Sequence, residues 1–261
     1  MTLFFGGGIL LAELSMMLDF PENFDFNLNK ASLLHGVIME IIDSSYADKM
    51  HANRINPFSM HLKKDKGKFV WIISTVNKEA YDNIIGKMLK SDFNGFCLKH
   101  NDVEIKVLDK TLKTNDKANL INHFYEEESE KYFTIHFVSP TSFKSNGKYI
   151  FYPELELLFK NIMNKYSACS DKETLKDEET LEQILKNTKV TKYNLQSVFF
   201  SLEGVKIPAF IGKIRIRVDG TETMQRFVRL LLEYSEYSGI GIKCSLGMGA
   251  VRLEKEEKNA G

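Results

Sequence analysis

Cysteine is scarce in this chain of 261 residues. Cys97, Cys169 and Cys244 stand far apart and form no Cys-x-x-Cys pair, which argues against a zinc ribbon or a disulfide framework and fits a reducing compartment. No Asp, Glu and His residues recur at metal-ligand spacing, and neither a Ser-His-Asp set nor a Gly-x-Ser-x-Gly elbow is present, so the expectation is no cofactor and no metal. Net charge is also missing: 35 basic residues offset 35 acidic ones, so no protein-wide basic field attracts nucleic acid. No apolar run reaches membrane-spanning length. The apolar segment from Met1 to Leu18 lacks a basic start, contains Glu13 and offers no clear cleavage site, so it does not read as a signal peptide. A soluble, cytoplasmic protein with no membrane partner is expected. What the chain does have is 43% apolar and 11% aromatic residues, enough to fill one large core or two ordinary ones.

Charge is unevenly distributed. Residues 1–130 carry 15 Lys and Arg against 19 Asp and Glu (−4), and residues 131–261 carry 20 against 16 (+4). A local basic face is therefore available in the second half.

Hydrophobic patterning gives the order of elements. A strand over Ile9 to Phe20 precedes a helix in which Leu34, Val37, Ile38 and Ile41 fall at helical spacing. His35 lies beside that stripe and reads as a core or edge histidine. The segment from Ser44 to Arg54 continues or restarts the helix. Two strands follow, Pro57 to Leu62 and Phe69 to Val76, joined by a basic turn. Alternation places Phe58, Met60 and Leu62 on one face of the first strand and Ser59, His61 and Lys63 on the other, polar one. A helix over Lys78 to Leu89 and a strand or hairpin over Phe96 to Leu108 complete a β-α-β-β-α-β order, the ferredoxin-like pattern.

Acidic residues 126–130 mark a boundary, and the scheme repeats. Tyr132 to Val138 is a strand broken by Pro140, and a helix begins at Pro153. Asp171 to Gln183 reads as an exposed helical insertion. Strands Val190 to Leu202 and Ile207 to Val218 precede a helix over Thr221 to Tyr237 and a final strand at Ala250 to Leu253. Lys213, Arg215 and Arg217 form a basic comb along one face of the strand they share. The fold class is α+β, two tandem ferredoxin-like halves over residues 1–125 and 131–261.

Before the last strand lies Gly239-Ile240-Gly241-Ile242-Lys243-Cys244-Ser245-Leu246-Gly247-Met248-Gly249. Two Gly-x-Gly pairs around Lys243 and Ser245 allow close backbone approach and can turn N–H donors toward an anion. Neither nucleotide motif fits: no Lys-Ser or Lys-Thr follows the last glycine as a Walker A loop requires, and Cys244 stands where a dinucleotide fingerprint needs its third glycine. Local pattern alone leaves open a plain helix cap followed by a bulged hairpin.

The loop, with its Tyr237-Ser238 lead-in and the following Met248-Gly249-Ala250-Val251, resembles the C-terminal glycine-rich signature of the RAMP superfamily of CRISPR-associated proteins. It is most similar to that of the repeat-processing endoribonucleases, the sixth Cas family. Met50-His51 followed by Pro57-Phe58-Ser59, the run Phe137 to Phe143, and Phe210-Ile211-Gly212-Lys213-Ile214 agree in order and position.

The resemblance implies metal-independent cleavage of CRISPR repeat RNA in precursor transcripts. The RNA's own 2′-hydroxyl attacks, leaving 2′,3′-cyclic phosphate and 5′-hydroxyl ends. Such a reaction needs a base, an acid and a cation, and histidine can serve as base or acid near neutral pH. By the family's pattern His51 is the general base, Tyr46 orients or donates, and Arg54 or Lys49 offsets charge on the phosphorane. The family's common lysine shortly after the histidine is not evident at Asn56 and Pro57. His61 is the competing base, while His100, His123 and His136 have no motif support. For RNA binding the resemblance implies Gly239, Gly241, Lys243, Ser245, Gly247 and Gly249 of the loop, with Ser139, Thr141 and Lys144 beside it. The basic comb would receive a repeat stem. CRISPR repeat RNA is thus the expected partner, and other effector subunits or a second copy are compatible with the family. Two alternatives stand beside this reading: a non-catalytic RAMP subunit binding guide RNA, and a small-molecule-binding ferredoxin-like protein.

Overall fold

The computed structural model describes residues 10–53, 55–99, 101–116, 124–125, 129–169 and 177–254. In the first half, β1 (Leu10–Asp19) lies centrally between β3 (Lys68–Thr75) and β5 (Val103–Asp116). β2 (Phe58–Asp65) lies outside β3, and the short β4 (Gly95–Leu98) outside β5. All pairings are antiparallel. Helices α1 (Leu33–Ile41) and α2 (Ser44–Ala52) connect β1 to β2, and α3 (residues 78–88) connects β3 to β4. The expected segment over Phe96 to Leu108 is the β4–β5 hairpin. The expected acidic boundary falls largely outside the described residues.

The second half uses the same order. β6 (Tyr132–Thr141) is flanked by β11 (Val251–Glu254) and β10 (Val205–Val218), with β9 (Thr188–Leu202) at the edge beyond β10. A small hairpin, β7 (Phe143–Ser145) and β8 (Lys148–Ile150), precedes α4 (Leu155–Cys169) and α5 (Glu178–Asn187), and α6 (Glu222–Ser238) precedes the glycine loop. α5 is more than an exposed insertion, because it buries Leu181 and Ile184 against the second core. Pro140 does not end β6. It falls where the β6–β10 register slips between Phe210 and Gly212, a bulge in which the missing N–H costs no ladder bond.

Two cores result. Ala12, Leu14, Met16, Met60, Trp71 and Ile73 point into the first, beneath α1 and α3. The opposite face of the same strands is buried too: Leu11 and, just past β3, Val76 belong to the second core, and Glu13, Ser59, His61 and Ser74 are each buried. The reason is α6, whose C-terminal part lies across β1, β2 and β3. Ser59 Oγ donates to the Tyr237 carbonyl at 2.6 Å, and the Glu13 carboxylate pairs with Arg252 of β11. The face that alternation marks as polar is therefore a seam between halves. His61 is sealed in it, and burial, helped by Arg252 and Lys63, lowers its pKa to about 3. A histidine so placed stays neutral and meets no substrate, which removes it as the competing base. No helix among the described residues is long and apolar enough to cross a membrane.

Candidate active site and nucleic-acid interface

The site is assembled from the loop after α6. Thr221 caps the start of α6 by accepting from the Met224 N–H, and Gly239 ends it at φ 67°. The chain then folds back on itself. Ile240 N–H donates to the Gly249 carbonyl at 2.7 Å, Gly249 N–H to the Pro140 carbonyl at 2.9 Å, and Ile242 N–H to the Ser142 carbonyl at 2.9 Å. Gly241 N–H donates to Asn161 Oδ1 at 2.8 Å. A Cβ at 241 would lie 2.3 Å from the Ser142 oxygen, and one at 249 would lie 2.2 Å from the Ile240 oxygen. These glycines therefore let the loop approach its own neighbours. That corrects the expectation that their N–H groups turn outward toward a ligand. The donors left for an anion sit further along. Lys243 adopts a left-handed conformation at φ 58° and opens a single 3-10 turn, Cys244–Leu246. The amides of Lys243, Cys244 and Ser245 have no partner among the described residues.

Lys165 of α4 anchors this loop from below. Its buried ammonium donates to the carbonyls of Ser238 (3.1 Å) and Gly239 (2.9 Å) and to Cys244 Sγ (3.0 Å). Three protons meet three acceptors, none of them a carboxylate, so the charge is held in place without contact neutralisation. Sequence reasoning passed over Lys165. The signal was present, since a lysine at 165 continues the stripe of Leu158 and Ile162 where an apolar residue is expected.

Among the described residues, two polar side chains of the first half reach the loop. His35 on α1 stacks on Phe58, ring centroids 5.9 Å apart and nearly parallel, and its Nδ1 lies 3.1 Å from the Ser245 carbonyl. A carbonyl only accepts, so Nδ1 carries the proton and Nε2 the lone pair, the tautomer a general base needs. Asn56 Nδ2 donates to Ser245 Oγ at 3.1 Å, while its Oδ1 is buried without a partner among the described residues. His35, Asn56, Asn161, Lys165, Lys243 and Ser245 line one cleft of about 440 Å³ whose lining includes no carboxylate.

The other expected residues fall elsewhere. His51 belongs to α2, but its side chain lies outside what is described, as do Arg54, His100 and His123. Tyr46 is buried, its hydroxyl has no partner among the described residues, and it lines a separate small pocket reached across Ile55. Burial, with Glu79 and Cys169 adding to it, pushes its pKa well above the ordinary value, which makes it a poor proton donor. Lys49 is paired with Glu79 at 2.6 Å.

Ser139 and Thr141, expected to touch RNA, are buried: Ser139 Oγ accepts the Ala250 N–H, and Thr141 Oγ1 donates to the Ser139 carbonyl. They hold the loop rather than a ligand. Lys144 is exposed, over the Tyr149 ring. On the open face of the second sheet, Arg215 stacks over Tyr132 at 4.3 Å and lies opposite Lys192 of β9. Lys213 pairs with Glu254 at 2.5 Å and Arg217 with Asp219 at 2.5 Å. His136 faces Glu254 at 3.5 Å, away from the cleft. Among the described residues no three His, Cys, Asp or Glu side chains gather as a metal site.

Tandem ferredoxin-like halves, with a C-terminal glycine loop closing on a histidine of the first half, define a protein of the RAMP class. The family model for CRISPR-associated endoribonuclease Cas6 matches residues 135–251. The CRISPR-associated endoribonuclease Cas6 of Streptococcus thermophilus is 32% identical over 229 residues, covering 85% of this chain and 90% of that protein. Its counterpart in Mycobacterium tuberculosis is 32% identical over 222 residues, covering 85% and 70%. A solved Cas6 product complex superposes with a TM-score of 0.77 at 20% identity, covering 95% of this chain and all of that one. Thermus thermophilus Cas6 gives 0.70 at 17% identity, with 95% and 100% covered. The chain belongs to the CRISPR-associated endoribonuclease Cas6 family.

Proposed function

We propose that this protein cuts CRISPR repeat RNA in precursor transcripts by metal-independent transesterification, with His35 as the general base. The observation that carries the assignment is the His35–Ser245 hydrogen bond, which holds the imidazole in its base-competent tautomer at a cleft lined by two lysines and no carboxylate. His35 Nε2 takes the proton of the 2′-hydroxyl. The 2′-oxygen bonds to phosphorus, the bond from phosphorus to the 5′-oxygen breaks, and that oxygen takes a proton from solvent. Lys243, the free amides at the start of the 3-10 turn and the fixed charge of Lys165 offset the negative charge of the phosphorane. General-base catalysis of this kind contributes on the order of 10²–10⁴-fold.

The first half, residues 1–125, supplies the base, and the second, residues 131–261, supplies the loop and the stem-binding face. Lys213, Arg215 and Arg217, joined by Lys192, receive the repeat stem by phosphate contacts. Their pairs with Glu254 and Asp219 are partly exposed and worth about 0–1 kcal/mol each, so RNA phosphates can replace them. The protein works in the cytoplasm, where precursor transcripts are made. A guide-RNA-binding subunit without activity would not need an imidazole held in this tautomer, which disfavours that alternative.

The test is cleavage of matching repeat RNA in EDTA by wild type, His35→Ala and His51→Ala, with a second substrate lacking the 2′-hydroxyl at the cut site. Wild type cuts without added metal, and neither the deoxy substrate nor His35→Ala supports cutting, while RNA binding persists. If His51→Ala abolishes cleavage and His35→Ala does not, the base is His51. Cleavage of the deoxy substrate would exclude 2′-hydroxyl attack.

A further inference from the structure

A second cleft, of about 670 Å³, opens beside the first between the start of α1, the β4–β5 turn and the tip of the β9–β10 hairpin. His35 and Leu246 line both, so the two clefts meet at the imidazole. Their chemistry is opposite. The first offers Lys165 and Lys243 with no acid. The second carries Glu40 and Glu203 against Lys99, and Lys99 is already paired with Glu40 at 3.2 Å. Phosphate is poorly suited to it. Its walls are apolar, with Leu33, Val37, Leu98 and Leu202 among them. Glu203 stands exposed at the hairpin tip with φ 48° and no ion-pair partner among the described residues. Apolar walls with one carboxylate not engaged by a cation, Glu203, suit a flat heterocycle that presents an N–H donor.

We propose that this cleft is a base-binding subsite. It takes one nucleobase adjoining the scissile phosphate, on the side leading away from the glycine loop. It favours a base with an exocyclic amino group, which donates to Glu203. The inference rests on the proposed function, because it requires the phosphate to lie at His35. Its consequence is that part of the cut-site choice is made by a nucleotide next to the cut and not by the stem.

The experiment uses a repeat RNA that wild type cuts, with the nucleotide on each side of the cut replaced in turn by an abasic residue. Single-turnover cleavage is compared for wild type and Leu202→Glu. One of the two abasic substitutions should slow wild type about tenfold or more, Leu202→Glu should slow the intact RNA similarly, and the two effects should not multiply. Glu203→Lys, at an exposed tip where folding is not at stake, should shift the cytosine-to-uracil rate ratio at that position about tenfold toward uracil. Neither abasic substitution mattering beyond twofold, fully multiplicative effects, or an unchanged base ratio in Glu203→Lys would each overturn the subsite. If wild type cuts no repeat RNA, or His35→Ala cuts normally, the proposed function fails first and the subsite falls with it. With both controls in order, only the subsite is at stake.

Discussion

At the scale of single residues, the site depends on where the protons of two side chains are held. The first is the Nδ1 proton of His35, directed at the Ser245 carbonyl. The second set belongs to Lys165, whose three donors hold Ser238, Gly239 and Cys244. Lys165→Met keeps most of the stem volume but leaves buried carbonyls without donors. It should lower stability by about 1–3 kcal/mol, measured by denaturant unfolding. It should also lower kcat by at least about tenfold, or about 1.4 kcal/mol. A variant as stable and as fast as wild type would show that the buried ammonium neither anchors the loop nor aids the reaction. Little of this was legible in the sequence. His35 sits next to an apolar stripe and looks like packing, and its partner lies 210 positions away. Lys165 is legible only as a misplaced charge on an otherwise apolar helix face.

At the scale of elements, the glycine loop was the clearest feature of the sequence, yet its role differs from the one its spacing suggests. Its glycines make room for carbonyls of the loop itself and of the segment after β6, so Gly249→Ala should strain the backbone at φ 72° and also collide with the Ile240 oxygen. We expect destabilisation of more than about 1 kcal/mol and weakened RNA binding, read by thermal unfolding and filter binding. Gly36, inside α1 with nothing within 4 Å of an added Cβ, makes the contrast. Gly36→Ala should stabilise the fold by about 0.5–1 kcal/mol, because the helix-interior entropy cost of glycine is removed. The same sign for both variants would contradict this account. Strands and helices followed the apolar period closely because each buries one face against its own half. Pro140 did not follow that reading, because a bulge supplies a place in β6 where a proline fits.

For the whole molecule, the seam between the halves creates both the site and an acid sensitivity. His61 is neutral in the seam with a pKa of about 3, against an ordinary value of about 6.5. Above pH 6.5 neither state is protonated, and its contribution is intact. As pH falls from about 6.5 toward 3, the unfolded chain takes up a proton that the folded one refuses, and stability is lost. Arg252 and Lys63 disfavour that proton further. His61→Gln should therefore lose less melting temperature between pH 6.5 and 4 than wild type, and parallel curves would dismiss the histidine as the cause. The seam also separates what could be read along the chain from what could not. Local period, turn residues and the glycine spacing determined two ferredoxin-like halves and the resemblance to repeat-processing nucleases, because those signals act between residues close in sequence. Which histidine meets the loop, which polar strand face is sealed and which lysine lies beneath the glycines were decided only when α6 crossed the first sheet. Contacts across so many residues arise from the packing of two surfaces, and no periodicity within either surface records its partner.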